Sequence, residues 1–252
     1  MFQVRSDREE GPFPAETIES VIEKVATALD YLHMEKQIMH GDIKSGNVLI
    51  VRDFDNVKLC DFGVTLPLNS EGKVSDPSKK YVGTEAWSAI EVIKDQEVTY
   101  KADIFAFGLL VYEMLALHSP HIEKLCCEDS EDEENDNDES LDEEAFREAL
   151  GSRPPLPDNF QFDQSYRTVL EIFFATTNED ATQRPSAREI LKMLSIKKSD
   201  DYDDSILCVN MVQGDREVLC ETLDITNDDH NDSSVVCIDD SVNESFQTPS
   251  AS

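Results

Sequence analysis

Apolar residues fall at Ile18, Ile22, Val25, Leu29 and Leu32, after a polar opening that ends in Gly11-Pro12-Phe13-Pro14. That 4-3-4-3 spacing is one face of an amphipathic helix, predicted from 16 to about 36, with the proline-rich stretch as a stiff entry. Two short apolar runs follow, 48–51 and 57–60, separated by Asp53-Phe54-Asp55-Asn56. Short Val/Ile/Leu runs around a polar turn predict a β-hairpin. Residues 64–88 mix Gly, Pro, Asn and Ser with no period and predict a long loop, a kind that inside a compact domain usually serves function. Residues 104–117 are almost wholly apolar and shorter than the roughly 20 residues a membrane span needs, so they predict a helix buried on every side. Further helices are predicted at 144–150, 165–176 and 186–195, the last opening with Ser186 and Glu189 in capping-box spacing. The expected class is α+β: a mostly helical core with one small hairpin.

Charge changes the picture at two places. The 252 residues carry a formal net charge of −32, and it is uneven. Residues 128–144 hold twelve acids and no Lys or Arg, and residues 195–252 hold fourteen acids against Lys197, Lys198 and Arg216. Outside both, 28 acids face 19 bases, an ordinary globular balance. The expected organisation is therefore a linker at 1–14, a globular domain at 15–196 with an acidic insert at 126–144, and a disordered acidic tail at 197–252. Such acidity argues against a sequence-independent grip on nucleic acid, which needs Lys and Arg to neutralise phosphates. Cys60, Cys126, Cys127, Cys208, Cys220 and Cys237 form no paired CxxC set, so reduced thiols are expected. The opening residues have charges from Arg5 to Glu10 and no apolar core, so neither a signal peptide nor a membrane partner is expected, and the setting is cytoplasmic or nuclear.

The chemistry concentrates around the hairpin. Phosphoryl transfer needs a carboxylate to orient the attacking hydroxyl, oxygen ligands for metal ions, and a cation to offset charge on the moving group. Asp42, Lys44 and Asn47 supply one of each just before the hairpin, and Asp61 adds a carboxylate just after it. A hairpin brings its two ends together, so these residues are expected to meet at one edge.

His40-Gly41-Asp42-Ile43-Lys44-Ser45-Gly46-Asn47 resembles the eukaryotic protein-kinase catalytic loop H-R-D-x-K-x-x-N, and Asp61-Phe62-Gly63 matches the family's metal-binding triplet. Gly83-Thr84-Glu85 to Ala89-Ile90-Glu91 resembles the end of the activation segment, with Ile90 where A-P-E has Pro. Asp103-Ile104-Phe105-Ala106-Phe107-Gly108 resembles the start of the buried central helix, and Arg184 the arginine that pairs with Glu91. The ordered motifs cover roughly 15–195 and resemble the C-terminal lobe of a mitogen-activated-protein-kinase-kinase-like kinase. The resemblance implies ATP and Mg²⁺ as cofactors, protein substrates with MAP kinases among them, and a mitotic or proliferative setting. By family pattern Lys44 and Thr84 fit serine/threonine transfer, with dual specificity left open. The implied roles are Asp42 as catalytic base, Lys44 on the γ-phosphate, and Asn47 and Asp61 as Mg²⁺ ligands. His40 is expected to support Phe62 by packing, and Asp103 to anchor the catalytic-loop backbone.

The sequence also departs from the family. It contains no G-x-G-x-x-G loop and no V-A-I-K strand, so the N-terminal lobe is largely absent from these residues; the chain alone is expected to bind ATP weakly and transfer phosphate poorly. The competing reading is a non-catalytic kinase-like binding protein. Gly41 replaces the arginine that normally holds a phosphorylated activation loop, which implies less dependence on that phosphate, although Ser70, Ser75 and Ser78 remain candidate sites. Cys60, beside Asp61, reads as a small buried residue. In the tail, residues 235–241 are an apolar run flanked by acids that suits a SUMO-type strand addition, and Thr248-Pro249 suits proline-directed phosphorylation. The final residues lack the apolar terminus PDZ domains favour, so PDZ binding is not supported.

Overall fold

A computed structural model describes residues 11–51, 54–76, 78–122, 143–197 and 213–223. The acidic insert up to 142, the SUMO-type run and the Thr-Pro site lie outside the described residues.

The first helix, α1 (Ala15–Asp30), buries Ile18, Val21, Ile22, Val25, Ala26 and Leu29, the stripe that the spacing predicts. Pro14 precedes it, and the Pro14 carbonyl accepts from the amides of Thr17 and Ile18. The helical path continues to Lys36, but its last turn widens over Tyr31–Lys36 and ends on Gln37 at φ 52°. Within this wider turn the neighbours Leu32 and His33, three and four residues after Leu29, are both buried and prolong the same face.

Four short strands follow. β1 (Ile38–Met39) pairs antiparallel with β4 (Leu66–Pro67), and β2 (Val48–Val51) with β3 (Asn56–Leu59). The hairpin is the expected one, in the register Val48 opposite Leu59 and Val51 opposite Asn56. The β1–β4 pair lies outside the sequence prediction, because two-residue strands carry no detectable alternation. Its consequence is positional: residues 40–47 run from β1 to β2, and residues 60–65 run from β3 to β4. The two chemistry-bearing stretches are thus both clamped at their ends by strand pairing.

After the short α2 (Ile90–Ile93) comes α3 (Lys101–Ala116), buried from Ala102 through Leu115. A helix apolar all round belongs in a core centre. α4 (Glu143–Ala149), α5 (Arg167–Thr176) and α6 (Ala187–Lys197) follow. α3 packs against α5, and α1 against α6. At Gly108 α3 comes close to the end of α5: a Cβ there would collide with Thr176 Oγ1 and lie 2.6 Å from Thr177 Cγ2. The capping box at α6 forms in full, with Ser186 N donating to Glu189 Oε2 at 2.7 Å and Glu189 N to Ser186 Oγ at 3.3 Å. Within the segment expected to be a disordered tail, α7 (Gln213–Thr222) is helical. No described helix is long and apolar enough to cross a membrane.

Candidate active site

The loop between β1 and β2 is suspended from the core helix. Asp103, fully buried in the first turn of α3, accepts from the amides of His40 (2.7 Å to Oδ2) and Gly41 (2.9 Å to Oδ1). The same Oδ2 receives Nε2 of His33 at 2.8 Å, with both side chains at 0% exposure. Three converging donors are what a buried carboxylate needs to remain an acceptor away from water. At the other end of the loop, buried Glu113 accepts from Ser45 N (3.1 Å), Ser45 Oγ (2.7 Å) and Trp87 Nε1 (2.9 Å). Burial pushes the Glu113 carboxyl up, and these hydrogen bonds only partly offset it. Asp103 and Glu113 lie ten residues apart on α3, about 15 Å along its axis at 1.5 Å per residue. One rigid helix therefore pins both ends of the stretch from 40 to 45.

Between those pins sits Asp42. Its Oδ2 lies 2.8 Å from Lys44 Nζ and accepts from Asn47 Nδ2 at 2.8 Å, while Oδ1 accepts from Thr84 N (3.1 Å) and Thr84 Oγ1 (2.7 Å). Lys44 Nζ also donates to Thr84 Oγ1 at 2.6 Å, which leaves the threonine hydroxyl hydrogen for Asp42. Burial raises the Asp42 pKa, but the bonds from Lys44, Thr84 and Asn47 outweigh it and hold the carboxyl below its usual range. The result is an anionic carboxylate beside a cation, about one-seventh exposed (14%) and accessible at one face.

Asn47 spends its amide nitrogen on Asp42, on the backbone oxygen (2.7 Å) as well as the carboxylate, so its amide oxygen stays outside these bonds. The Asn47 carbonyl accepts from Cys60 N at 3.0 Å and Cys60 Sγ at 3.4 Å, which ties the loop to the residue before Asp61. Asp61 is exposed, at φ 63°, a left-handed conformation that Asp tolerates better than most residues. Its Oδ1 accepts from Gly63 N at 3.3 Å. Among the described residues, no three His, Cys, Asp or Glu side chains group as a metal cage. Two hard oxygen donors, the Asn47 amide oxygen and the Asp61 carboxylate, would suit Mg²⁺, which keeps waters and shares its ligands with phosphates.

His40 and Phe62 pack with ring centroids 5.0 Å apart. His40 Nδ1 accepts from Asp42 N (3.3 Å) and Nε2 faces the Cys60 carbonyl (3.1 Å), an arrangement one neutral tautomer satisfies. Gly41 has φ 83°, and a Cβ there would come within 2.8 Å of the Val64 carbonyl oxygen, so glycine is the residue this close backbone approach admits. Gly83 packs still more tightly, on the Gly41 carbonyl.

Away from the loop, Arg184 and Glu91 form a bidentate pair at 2.6 Å and 3.0 Å. The remaining guanidinium hydrogens go to the carbonyls of Asn178, Glu179 and Lys101, and the group stacks 4.9 Å from the Phe105 ring centroid. All five donors of a fully buried arginine are thereby used.

Sequence reasoning missed His33 and Glu113. For Glu113 a signal exists: one acid inside an otherwise apolar buried helix must meet donors. His33 follows Leu29 by four residues and so falls on the buried face of the helix, but a lone polar residue there does not announce its partner.

A protein kinase domain family model matches residues 2–194. The chain belongs to the protein kinase family. The kinase domain is 46% identical over 196 residues to the human lymphokine-activated killer T-cell-originated protein kinase, covering 77% of this chain and 60% of that protein. It is 32% identical over 179 residues to the Xenopus laevis mitogen-activated protein kinase kinase kinase 13-A, covering 70% of this chain and 16% of that one. The chain thus spans about 60% of the length of its human relative.

Proposed function

We propose that this chain carries the catalytic-loop half, the C-terminal lobe, of an ATP-dependent protein serine/threonine kinase. The observation that supports the reading best is the Asp42 site: a carboxylate held anionic, 2.8 Å from a lysine and bonded to Thr84, on a loop pinned at both ends to a buried helix. Asp42 orients the hydroxyl of a protein substrate and takes its proton as the oxygen attacks the γ-phosphorus of ATP, the bond from that phosphorus to the β–γ bridging oxygen breaks, and ADP leaves. Lys44 offsets the charge on the γ-phosphoryl group, and Asn47 and Asp61 would hold the metal. Bound Mg²⁺ supplies neutralisation of the phosphate oxygens. His40 packs under Phe62 to steady the triplet, Gly63 admits its turn, Asp103 positions the loop, and the Glu91–Arg184 pair anchors the end of the activation segment. Serine/threonine preference rests on the hydrogen-bonded trio of Asp42, Lys44 and Thr84. MAP kinases are the proposed protein substrates, in line with the names of the relatives, and the proposed setting is cytoplasm or nucleus.

Low activity of the chain by itself belongs to the same proposal. Leu49, Val51 and Phe62 are 52%, 50% and 47% exposed on the hairpin side of the site. Apolar side chains flanking an active cleft suit cover by a second lobe that would enclose the nucleotide and exclude water.

The test compares phosphate transfer from ATP by this chain and by the same chain joined upstream to a lobe carrying a glycine-rich loop. The expected result is strong activity in the joined form, lost in Asp42→Ala and Asp61→Ala. Transfer in neither form would sink the enzyme reading in favour of a binding protein. Micromolar Mg-ATP affinity of residues 1–252 alone would overturn the need for the second lobe.

A further inference from the structure

α7 lies beyond the family match, which ends at 194, within the acidic segment 195–252. Two of its residues and the one just after it, spaced four apart, share a single face: Asp215, Leu219 and Leu223. Leu219 is 1% exposed and Leu223 6%, both inside the main hydrophobic core, whereas Val218 and Glu221 on other faces are exposed. The receiving surface is the C-terminal end of α5 together with Arg153. The Arg153 guanidinium donates to Thr177 Oγ1 (2.7 Å) and to the Phe174 carbonyl (2.8 Å), and stacks 4.9 Å from the Phe174 ring centroid. Its outer edge grips Asp215 with both oxygens, at 2.5 Å and 3.0 Å.

Each half of this arrangement needs the other. A helix of ten residues is marginal alone in water, so α7 has no stability of its own to draw on. Arg153 satisfies the Phe174 carbonyl and the Thr177 hydroxyl at the end of α5 on one edge, and Asp215, in the first turn of α7, completes its other edge where a helix N-terminus favours an acid. We propose that the Arg153–Phe174 surface of α5 is a docking site for an acidic amphipathic helix, and that its occupant is the chain's own segment 213–223, which folds only when seated there. The positive anchor selects the acid and the apolar floor selects the two leucines, so the segment is recognised and does not merely collapse onto the core. The folded unit then extends past the family boundary, and part of the tail serves as structure.

Amide hydrogen exchange by mass spectrometry on the full chain tests this without any assay of kinase activity. Peptides covering 213–223 are expected to be protected independently of protein dilution. Asp215→Arg is expected to lower that protection about tenfold or more, the scale of a lost charge-assisted pair. Leu219→Asp is expected to remove it. Peptides from α1 and α3 report whether the variants still fold; loss spreading to α3 would mean the docked helix is integral to the core, the stronger form of the same inference. Exchange of 213–223 at the free-chain rate in the unmodified protein would overturn the proposal. So would protection that disappears on dilution, which would seat the helix on a second copy, or protection unchanged in both variants.

Discussion

Replacing Arg184 with Met removes the guanidinium and keeps most of the side-chain volume. The Glu91 carboxylate, 8% exposed, then loses both bonds to its cation, and the carbonyls of Asn178, Glu179 and Lys101 lose donors. Deleting one partner of a buried ion pair costs about 3–5 kcal/mol, because the other charge remains desolvated and unpaired. For a domain of this size each kcal/mol moves the melting temperature by about 2–4 °C, so a fall of roughly 6–20 °C is expected. The double change Glu91→Leu with Arg184→Met removes the stranded charge but still leaves the three carbonyls short of donors. It should therefore recover part of the loss and retain a deficit of about 1–3 kcal/mol. Arg184→Lys falls between, since an ammonium offers three donors and no planar fork. Urea denaturation followed by circular dichroism, run as a double-mutant cycle, measures each value. Arg184→Met within about 1 kcal/mol of the unmodified protein would refute the reasoning, and would mean water or rearrangement satisfies Glu91 at little cost.

Glu113→Leu strands Ser45 N and Trp87 Nε1 and is expected to cost about 2–4 kcal/mol, whereas Glu113→Gln can still accept both and should cost about 1 kcal/mol; urea midpoints distinguish them. Because burial holds Glu113 above its ordinary range, the folded state favours its protonated form relative to the unfolded chain. The stability this group contributes should rise as pH falls from neutrality towards the ordinary glutamate value of about 4.3, and Glu113→Gln should lack that slope. Parallel pH profiles for the two proteins would contradict the assignment. Gly41→Arg, which restores the family's usual residue, should destabilise by about 1–3 kcal/mol through its positive φ and the Val64 carbonyl, readable as a lowered melting temperature. Asp42, held below its usual range, should stay ionised as pH falls past the ordinary aspartate value, so the acid limb of transfer by the lobe-joined protein should lie lower than a free carboxylate would give.

Much of this was legible wherever a long period or a linear motif carries the information. The α1 stripe, the all-apolar α3 and the β2–β3 hairpin each repeat over enough residues to set their type. The capping box at Ser186 and Glu189 is a local rule that needs no tertiary context. What escaped the sequence depends on contacts between distant segments. The β1–β4 pair is two residues long and exists because the chain returns to Gln37 and Leu68 after thirty-one residues, with Leu68 N donating to the Gln37 carbonyl at 2.7 Å. α7 looks like tail by composition, and only the presence of Arg153 and the α5 floor makes its two leucines a face. The site shows the same division. Asp42, Lys44, Asn47 and Asp61 stand out as a linear motif, while His33 and Glu113 act through residues seventy and sixty-eight positions away.

Holding the loop from α3 has a consequence for how the site fails. The amides of His40 and Gly41 are bonded to a carboxylate on the buried helix α3, and Ser45 is bonded to another on the same helix. A loop fastened in this way has no independent opening of its own. Its amides exchange when α3 leaves the core and not before, so local loosening of the hairpin or of the 64–88 segment leaves the spacing of Asp42 from its neighbours intact. Partial damage to this protein would therefore change how well the site is covered long before it changed how the site is arranged, and heat would abolish the arrangement in a single step with the core.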